Sequence, residues 1–254
     1  MTFFNAGASG PRGGDWARER YRDRIAWIQG VASEYDLKMV CVDTNINEFL
    51  NQDHEPTNTF RTLAIPLILE KLFAKYYFAS SYEFEKFRFV YMDTAYYDLL
   101  NLPCISTEST TFYLDGAETS RCGKLEFIAS NKTVQEKLNV CTAEVHNCGK
   151  CDKCRRTILG LYAVGCLDQF KDSFDIDYFY KHKHEFFRVM CALRRWNECA
   201  VKHEWNEIYQ KIRQEVTLID EIGGFGVLLY RIVRRKVYKT SWGKKLYKRL
   251  RGKS

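Results

Sequence analysis

A chain of 254 residues is long enough to bury a core without disulfide staples. With 46 % hydrophobic, 15 % aromatic and 28 % charged residues and only 4 prolines, it is not a disordered chain. The net charge of +7 is local: residues 231–254 hold eleven Lys or Arg and no acid, and the rest carries a balance of −4, which argues against a basic nucleic-acid groove as the main function.

Residues 1–7 lack the basic segment and long apolar run of a secretory signal, and no stretch approaches 18 uninterrupted apolar residues. The expected location is therefore the cytoplasm, where ten cysteines read as reduced thiols or metal ligands.

In chain order, residues 2–7 predict a short buried strand running into a Gly-rich turn over 7–14. A helix follows from about Asp15 to Glu34, with Trp16, Tyr21, Ile25, Ile28 and Val31 at three- and four-residue steps. Residues 37–43 form a second apolar strand, completing a βαβ unit that predicts a parallel sheet. The pattern repeats as a helix over 59–74, a strand at 76–79, a helix near 94–100 and a strand at 104–107. Polar residues gather at the expected strand ends, as Asp43-Thr44-Asn45, Ser80-Ser81-Tyr82 and Ser106-Thr107-Glu108. In an open parallel sheet the carboxyl ends of the strands bind ligands, so these clusters are candidate pocket walls, ordinary polar turns being the alternative. After about residue 170 the chain turns to helices rich in aromatic and basic residues, such as Phe186-Phe187-Arg188. The expected organisation is an α/β domain over 1–170, a helical cap over 171–224 and a basic amphipathic tail over 225–254.

Four of the ten cysteines, Cys141, Cys148, Cys151 and Cys154, fall within fourteen residues at C-x6-C-x2-C-x2-C spacing. Each C-x2-C step lets two thiolates converge on one ion through a tight turn, with Gly149 supplying backbone freedom. Four thiolates suit zinc in a closed structural site, because no coordination position is left for water. An iron–sulfur cluster, a redox dithiol of Cys148 and Cys151, and His146 as a replacement ligand are the alternatives. Cys41, Cys104, Cys122, Cys166, Cys191 and Cys199 are scattered and read as core residues.

The run from Asn147 through Cys148-Gly149-Lys150-Cys151-Asp152-Lys153-Cys154-Arg155-Arg156, with the helix beyond it, resembles the zinc-binding segment of 7-cyano-7-deazaguanine synthases and their relatives. Those are PP-loop ATP pyrophosphatases of the adenine-nucleotide alpha-hydrolase type, some of them found with bacterial surface-polysaccharide genes. Glu118-Thr119-Ser120-Arg121-Cys122-Gly123-Lys124 is similar to a basic segment near that family's active site. The resemblance implies a doubly wound, Rossmann-like parallel sheet with a four-cysteine zinc site, and a ligase that binds ATP with magnesium. A substrate carboxylate or carbonyl oxygen would attack the α-phosphate and expel pyrophosphate, and a nitrogen nucleophile would then displace AMP. On this reading Arg121 and Lys124 reach phosphate oxygens, Ser80 and Ser81 hydrogen-bond substrate or ribose, and Asp43 lines the pocket; a solvated helix face is the plainer account of Arg121 and Lys124.

The family's Ser-Gly-Gly-x-Asp-Ser loop is absent. Residues 8–15 have a similar composition, but Pro11 removes an N–H donor and the order is wrong. By element order residues 2–7 correspond to the family's second strand. The expectation is that the native polypeptide begins upstream of Met1, and the alternative is a degenerate relative.

The tail mixes apolar residues such as Phe225, Leu228, Leu229 and Ile232 with cations, and Trp242 and Tyr247 suit an interface. Such a helix suits the anionic inner face of a membrane, ahead of RNA and of a merely solvated tail. Two functions follow: an ATP-dependent ligase acting on polysaccharide or nucleobase precursors, or a non-catalytic zinc-stabilised protein that docks through its tail.

Overall fold

The computed structural model describes residues 1–10 and 12–239. Pro11 and the part of the basic tail beyond residue 239, including Trp242 and Tyr247, lie outside the described residues. The fold is mixed α/β and mostly helical. In order it runs β1 (Thr2–Phe4), α1 (Asp15–Glu34), β2 (Val40–Val42), α2 (Ile46–Leu50), α3 (Asn58–Ile68), β3 (Lys75–Ala79), α4 (Asp98–Ile105) and β4 (Thr111–Asp115). The remainder is helical: α5 (Arg121–Ile128), α6 (Lys132–Lys137), α7 (Asp152–Ala163), α8 (Ile176–Lys181), α9 (Lys183–Leu193), α10 (Lys202–Ile212) and α11 (Leu218–Lys239).

The parallel pairing expected of the βαβ unit is present, with Phe3 opposite Cys41, and β3 pairs parallel with β4, with Tyr77 opposite Tyr113. Among the described residues these pairs are two separate two-stranded sheets, not one wound sheet. Strands β1 and β3 meet through side chains only: the Thr2 and Tyr76 hydroxyls are 2.9 Å apart, and the Phe4 and Tyr76 rings stack at 6.4 Å.

The strand expected at 104–107 is instead the end of α4 and the turn after it, and the strand lies at Thr111–Asp115. Apolar runs that short do not separate a strand from a buried helix turn, whereas Thr111-Phe112-Tyr113-Leu114 has the β-branched and aromatic composition of a strand. Ser106-Thr107-Glu108 therefore sit at the amino end of β4, and Asp115-Gly116 replace them at its carboxyl end. Helix α3 ends at Ile68 and gives way to a 3-10 turn at Glu70–Leu72, short of the expected 74.

Helix α1 occupies the expected residues but turns a different face inward. Trp16 is exposed, while Ala17, Arg20, Tyr21, Arg24 and Ala32 are buried. Tyr21 holds the helix on the sheet by stacking on Phe3 and donating its hydroxyl to the Phe3 carbonyl, 2.8 Å away. At the amino end of α1, the Gly14 N–H donates to Glu48 Oε1 at 3.0 Å, so a carboxylate sits where the helix dipole favours an anion.

Between α3 and α4 lies a buried polar network. Thr59 donates to Asp98 Oδ1 at 2.6 Å, Asn101 Nδ2 donates to the same oxygen at 3.1 Å, and the Thr59 and Thr94 hydroxyls lie 3.0 Å apart. The largest apolar core joins Cys122 and Leu125 of α5 and Ile158 and Leu161 of α7 to Phe179, Phe186 and Trp205, so it draws on residues on both sides of residue 170.

Candidate metal centre and adjoining cleft

The loop between α6 and α7 and the first turn of α7 gather Cys141, Cys148, Cys151 and Cys154 so that their sulfurs all lie within 4.8 Å of one another. Tetrahedral Zn–S bonds of about 2.3 Å set sulfur–sulfur edges of roughly 3.8 Å, so the cluster needs only small adjustments to close on an ion. The Cys141 and Cys151 sulfurs are already 3.9 Å apart. Gly149 makes the knuckle possible with φ of +66°, a conformation that costs a residue with a side chain. Backbone N–H groups point at the sulfurs: Glu144 to Cys141 at 3.2 Å, Cys151 to Cys148 at 3.3 Å and Cys154 to Cys151 at 3.4 Å. Such donors favour thiolate over thiol. The Cys151 thiol is drawn down to about 4, chiefly by the side-chain hydrogen bond with Cys154, and that same bond pushes Cys154 up. Four sulfurs competing for protons in this way fit a divalent cation such as zinc.

The loop is fastened from several sides. Asn147 donates to the Leu138 and Ser173 carbonyls, at 2.6 and 2.9 Å, and accepts from the Val140 N–H at 3.0 Å. Arg24 of α1 donates to the Cys141 carbonyl at 2.8 Å and to the Ala8 carbonyl at 3.0 Å, while Arg20 donates to the Thr142 and Glu144 carbonyls. These arginines are what the buried face of α1 is for: they tie the α/β half to the cysteine loop. Both were missed in the sequence, although their four-residue spacing beside Ala17 and Tyr21 places them on one helix face.

Of the other cysteines, Cys122 and Cys191 are buried as expected of core residues, and Cys166 and Cys199 are half-buried. Cys41 and Cys104 are exposed, contrary to the core reading: an apolar neighbourhood in sequence does not tell which side of a strand or helix faces out.

Beside the metal loop lies a cavity of about 390 Å³ whose wall includes Arg24, Arg121, Cys141, Lys153 and Arg156. Buried Glu204 of α10 pairs with Arg156 at 3.0 Å and with Arg121 at 3.3 Å, and Arg121 also donates to the Thr157 hydroxyl at 2.9 Å. The Lys153 ammonium makes no hydrogen bond or ion pair among the described residues. Lys153 is exposed at the rim; partial burial there and the like charges of Arg156 and Arg121 hold it below the ordinary lysine value, against the pull of Glu55 and Cys151. Burial and Arg156 act on the Arg121 guanidinium in the same direction. The wall thus carries more positive charge than Glu204 balances.

The five residues expected to bind a nucleotide do not share one cavity. Arg121 faces the cationic cavity. Lys124, one turn on, donates to the Ser80 hydroxyl at 2.7 Å and to its carbonyl at 3.0 Å, and with Ser80 lines a second cavity of about 790 Å³ at the carboxyl ends of β3 and β4. Ser81 is exposed and lines neither cavity, and Asp43 is exposed with its carboxylate held by the Asn5 amide at 2.8 Å. Lys153 and Arg156 were not among the expected ligand-binding residues, although they stand within and just after the cysteine motif; Glu204 carries no local signal, because only the fold brings it there.

Comparison with protein-family models, with curated proteins and with solved structures finds no match for this chain. No described helix is long and apolar enough to cross a membrane.

Proposed function

We propose that the chain is the zinc-stabilised body of an ATP pyrophosphatase-type ligase, which takes a phosphate-bearing substrate into the cleft between its α/β and helical halves. The observation that carries this reading is the convergence of Arg121, Lys153 and Arg156 beside the cysteine cluster, with the Lys153 ammonium unpartnered. Cations fixed in a partly desolvated wall stabilise phosphoryl charge without reorganising as it develops. The larger cavity at Ser80 and Lys124 offers room for the rest of a nucleotide. Two parallel strand pairs that meet through Thr2, Phe4 and Tyr76 are in keeping with a Rossmann-like α/β arrangement. In such a reaction these side chains hold the triphosphate of magnesium ATP and the departing pyrophosphate, while a substrate carboxylate or carbonyl oxygen is adenylated. The cysteine centre keeps the wall in place and takes no part in the chemistry.

Titration of the protein with magnesium ATP, beside its Lys153→Met variant, tests the reading. Lys153 makes no hydrogen bond or ion pair among the described residues, so the variant should melt at nearly the same temperature while its affinity falls about tenfold or more, equivalent to about 1.4 kcal/mol. Equal affinities, or no ATP binding by the parent chain, would sink the proposal. The second reading, a non-catalytic zinc-stabilised docking protein, draws support from Glu48, whose carboxylate takes the anion position at the amino end of α1. It would be favoured by about one zinc per chain without nucleotide affinity.

A further inference from the structure

We infer that the outward face of α11 is a docking surface for an anionic lipid bilayer, on which the protein lies without crossing it. The inference is independent of any catalytic role and rests on how α11 is divided between its two faces.

The inward face is packed and paired apart from a groove that Leu228 and Ile232 line with Trp196. A Cβ at Gly223 would come within 2.7 Å of Arg188, and one at Gly224 within 2.6 Å of the Cys191 Cβ, so the two glycines let α11 lie against α9 at close range. The two carboxylates of the helix also turn inward. Asp220 accepts from the Thr217 hydroxyl at 2.8 Å and contacts His184 Nδ1 at 2.9 Å, and Glu221 accepts from Arg194 at 2.9 Å and pairs with Arg195. Arg231 donates two 2.7 Å bonds to Asp152, the residue that opens α7 behind the cysteine motif, and Arg235 pairs with Glu198.

The outward face is apolar and free of acids. Leu218, Ile219, Ile222, Phe225, Leu229 and Val233 are between 51 and 80 % exposed and recur at three- and four-residue steps. They form one stripe along a helix about 33 Å long, given a rise of 1.5 Å per residue. A stripe this long and unbroken is a contact surface, since isolated exposed apolar residues are ordinary and aligned ones are not. Charge decides the occupant. Arg234 and Lys236 are exposed and form no ion pair among the described residues, and the chain from 231 to its last residue adds only cations. A second copy of this chain would bring a like-charged run against it, whereas an anionic headgroup layer takes the cations at its surface and the apolar stripe just beneath. The stripe begins at Leu218, ahead of the first cation of the run, so the docking unit is the whole of α11 and not the basic tail alone.

The test is co-sedimentation of the full chain with phosphatidylcholine vesicles and with vesicles containing a third phosphatidylglycerol, for the parent and for Ile222→Glu and Leu229→Glu. Both sites face outward, so circular dichroism should show unchanged melting. The parent should bind the anionic vesicles at least about tenfold more tightly than the neutral ones, with affinity falling as salt rises, and each variant should lose about tenfold or more. Absence of vesicle binding, or binding indifferent to both substitutions, would overturn the inference. So would a parent dimer in sedimentation analysis that Leu229→Glu dissociates while vesicle binding is absent, because the stripe would then belong to a second copy.

Discussion

In the helical half, Phe170, Phe179, Phe186, Phe187 and Trp205 are wholly enclosed, and aromatic rings meet edge to face, as Phe179 and Phe186 do at 5.1 Å and 90°. In the α/β half the buried apolar residues fall, among the described residues, into two small clusters, Leu63, Tyr76, Leu102 and Phe112 around the strands and Tyr82, Ala95 and Tyr96 beside them, and much of the order comes from polar fastenings: the Thr59–Asp98–Asn101 network, the hold of Arg61 on Asn47, and the reach of Arg20 and Arg24 to the cysteine loop. Apolar packing tolerates changes of detail as long as volume is kept, whereas a buried polar network fails when one partner is lost. The cysteine centre stands where the two kinds of order meet, since its loop is gripped by α1 on one side and by the turn at Ser173 on the other.

Removal of the metal should therefore break the comparison most severely. Chelation, or Cys151→Ser, is expected to lower the melting temperature by roughly 10 °C or more, about 4 kcal/mol for a chain of this size, and to open residues 138–150 to protease. Unchanged melting with a chelator would show that no structural ion is held there. Next comes the contrast between the cores: Trp205→Ala should cost about 3–5 kcal/mol in denaturant unfolding, and Leu63→Ala about 2 kcal/mol, because the thin cluster can collapse around the loss. Equal costs would contradict the thinness of the α/β core. Arg24→Met keeps the stem but strands the Ala8 and Cys141 carbonyls, at an expected cost of about 2 kcal/mol, and it should make stability more dependent on added zinc.

The smallest effect is a pH slope. Burial draws His54 from 6.5 to about 4, beside a Gly7 turn so close that a Cβ there would lie 2.4 Å from Nδ1. The unfolded chain then takes up this proton before the folded one does. The contribution of neutral His54 is complete above pH 6.5 and declines as pH falls from there to about 4. Denaturant midpoints measured across that window should slope less in His54→Gln, and an unaltered slope would remove His54 as its source.

What was legible in the sequence follows the same division. The cysteine motif could be read because its four ligands are local, and α1 because Asp15 to Glu34 repeats at helical spacing. The strand at Thr111 was hidden behind the apolar run of α4, and Arg20 and Arg24 were passed over because arginine on a helix ordinarily faces water. Cationic residues that converge from α1, α5 and α7, with Glu204 from α10, are the work of tertiary packing and leave no periodic trace. That Arg121 and Lys124 separate into two cavities was likewise beyond a reading that places them on one helix turn.

The seam between β1 and β3 has a consequence for how the molecule yields. Side chains, not backbone hydrogen bonds, carry the contact there, through Thr2, Phe4 and Tyr76. Amide protection should accordingly fall into two blocks, one covering β1, α1 and β2 and the other β3 and β4, each opening without breaking a single rung of the other's ladder. The fold carries a fault line between its two strand pairs, and the cysteine loop gripped by α1 lies on the side of the first block.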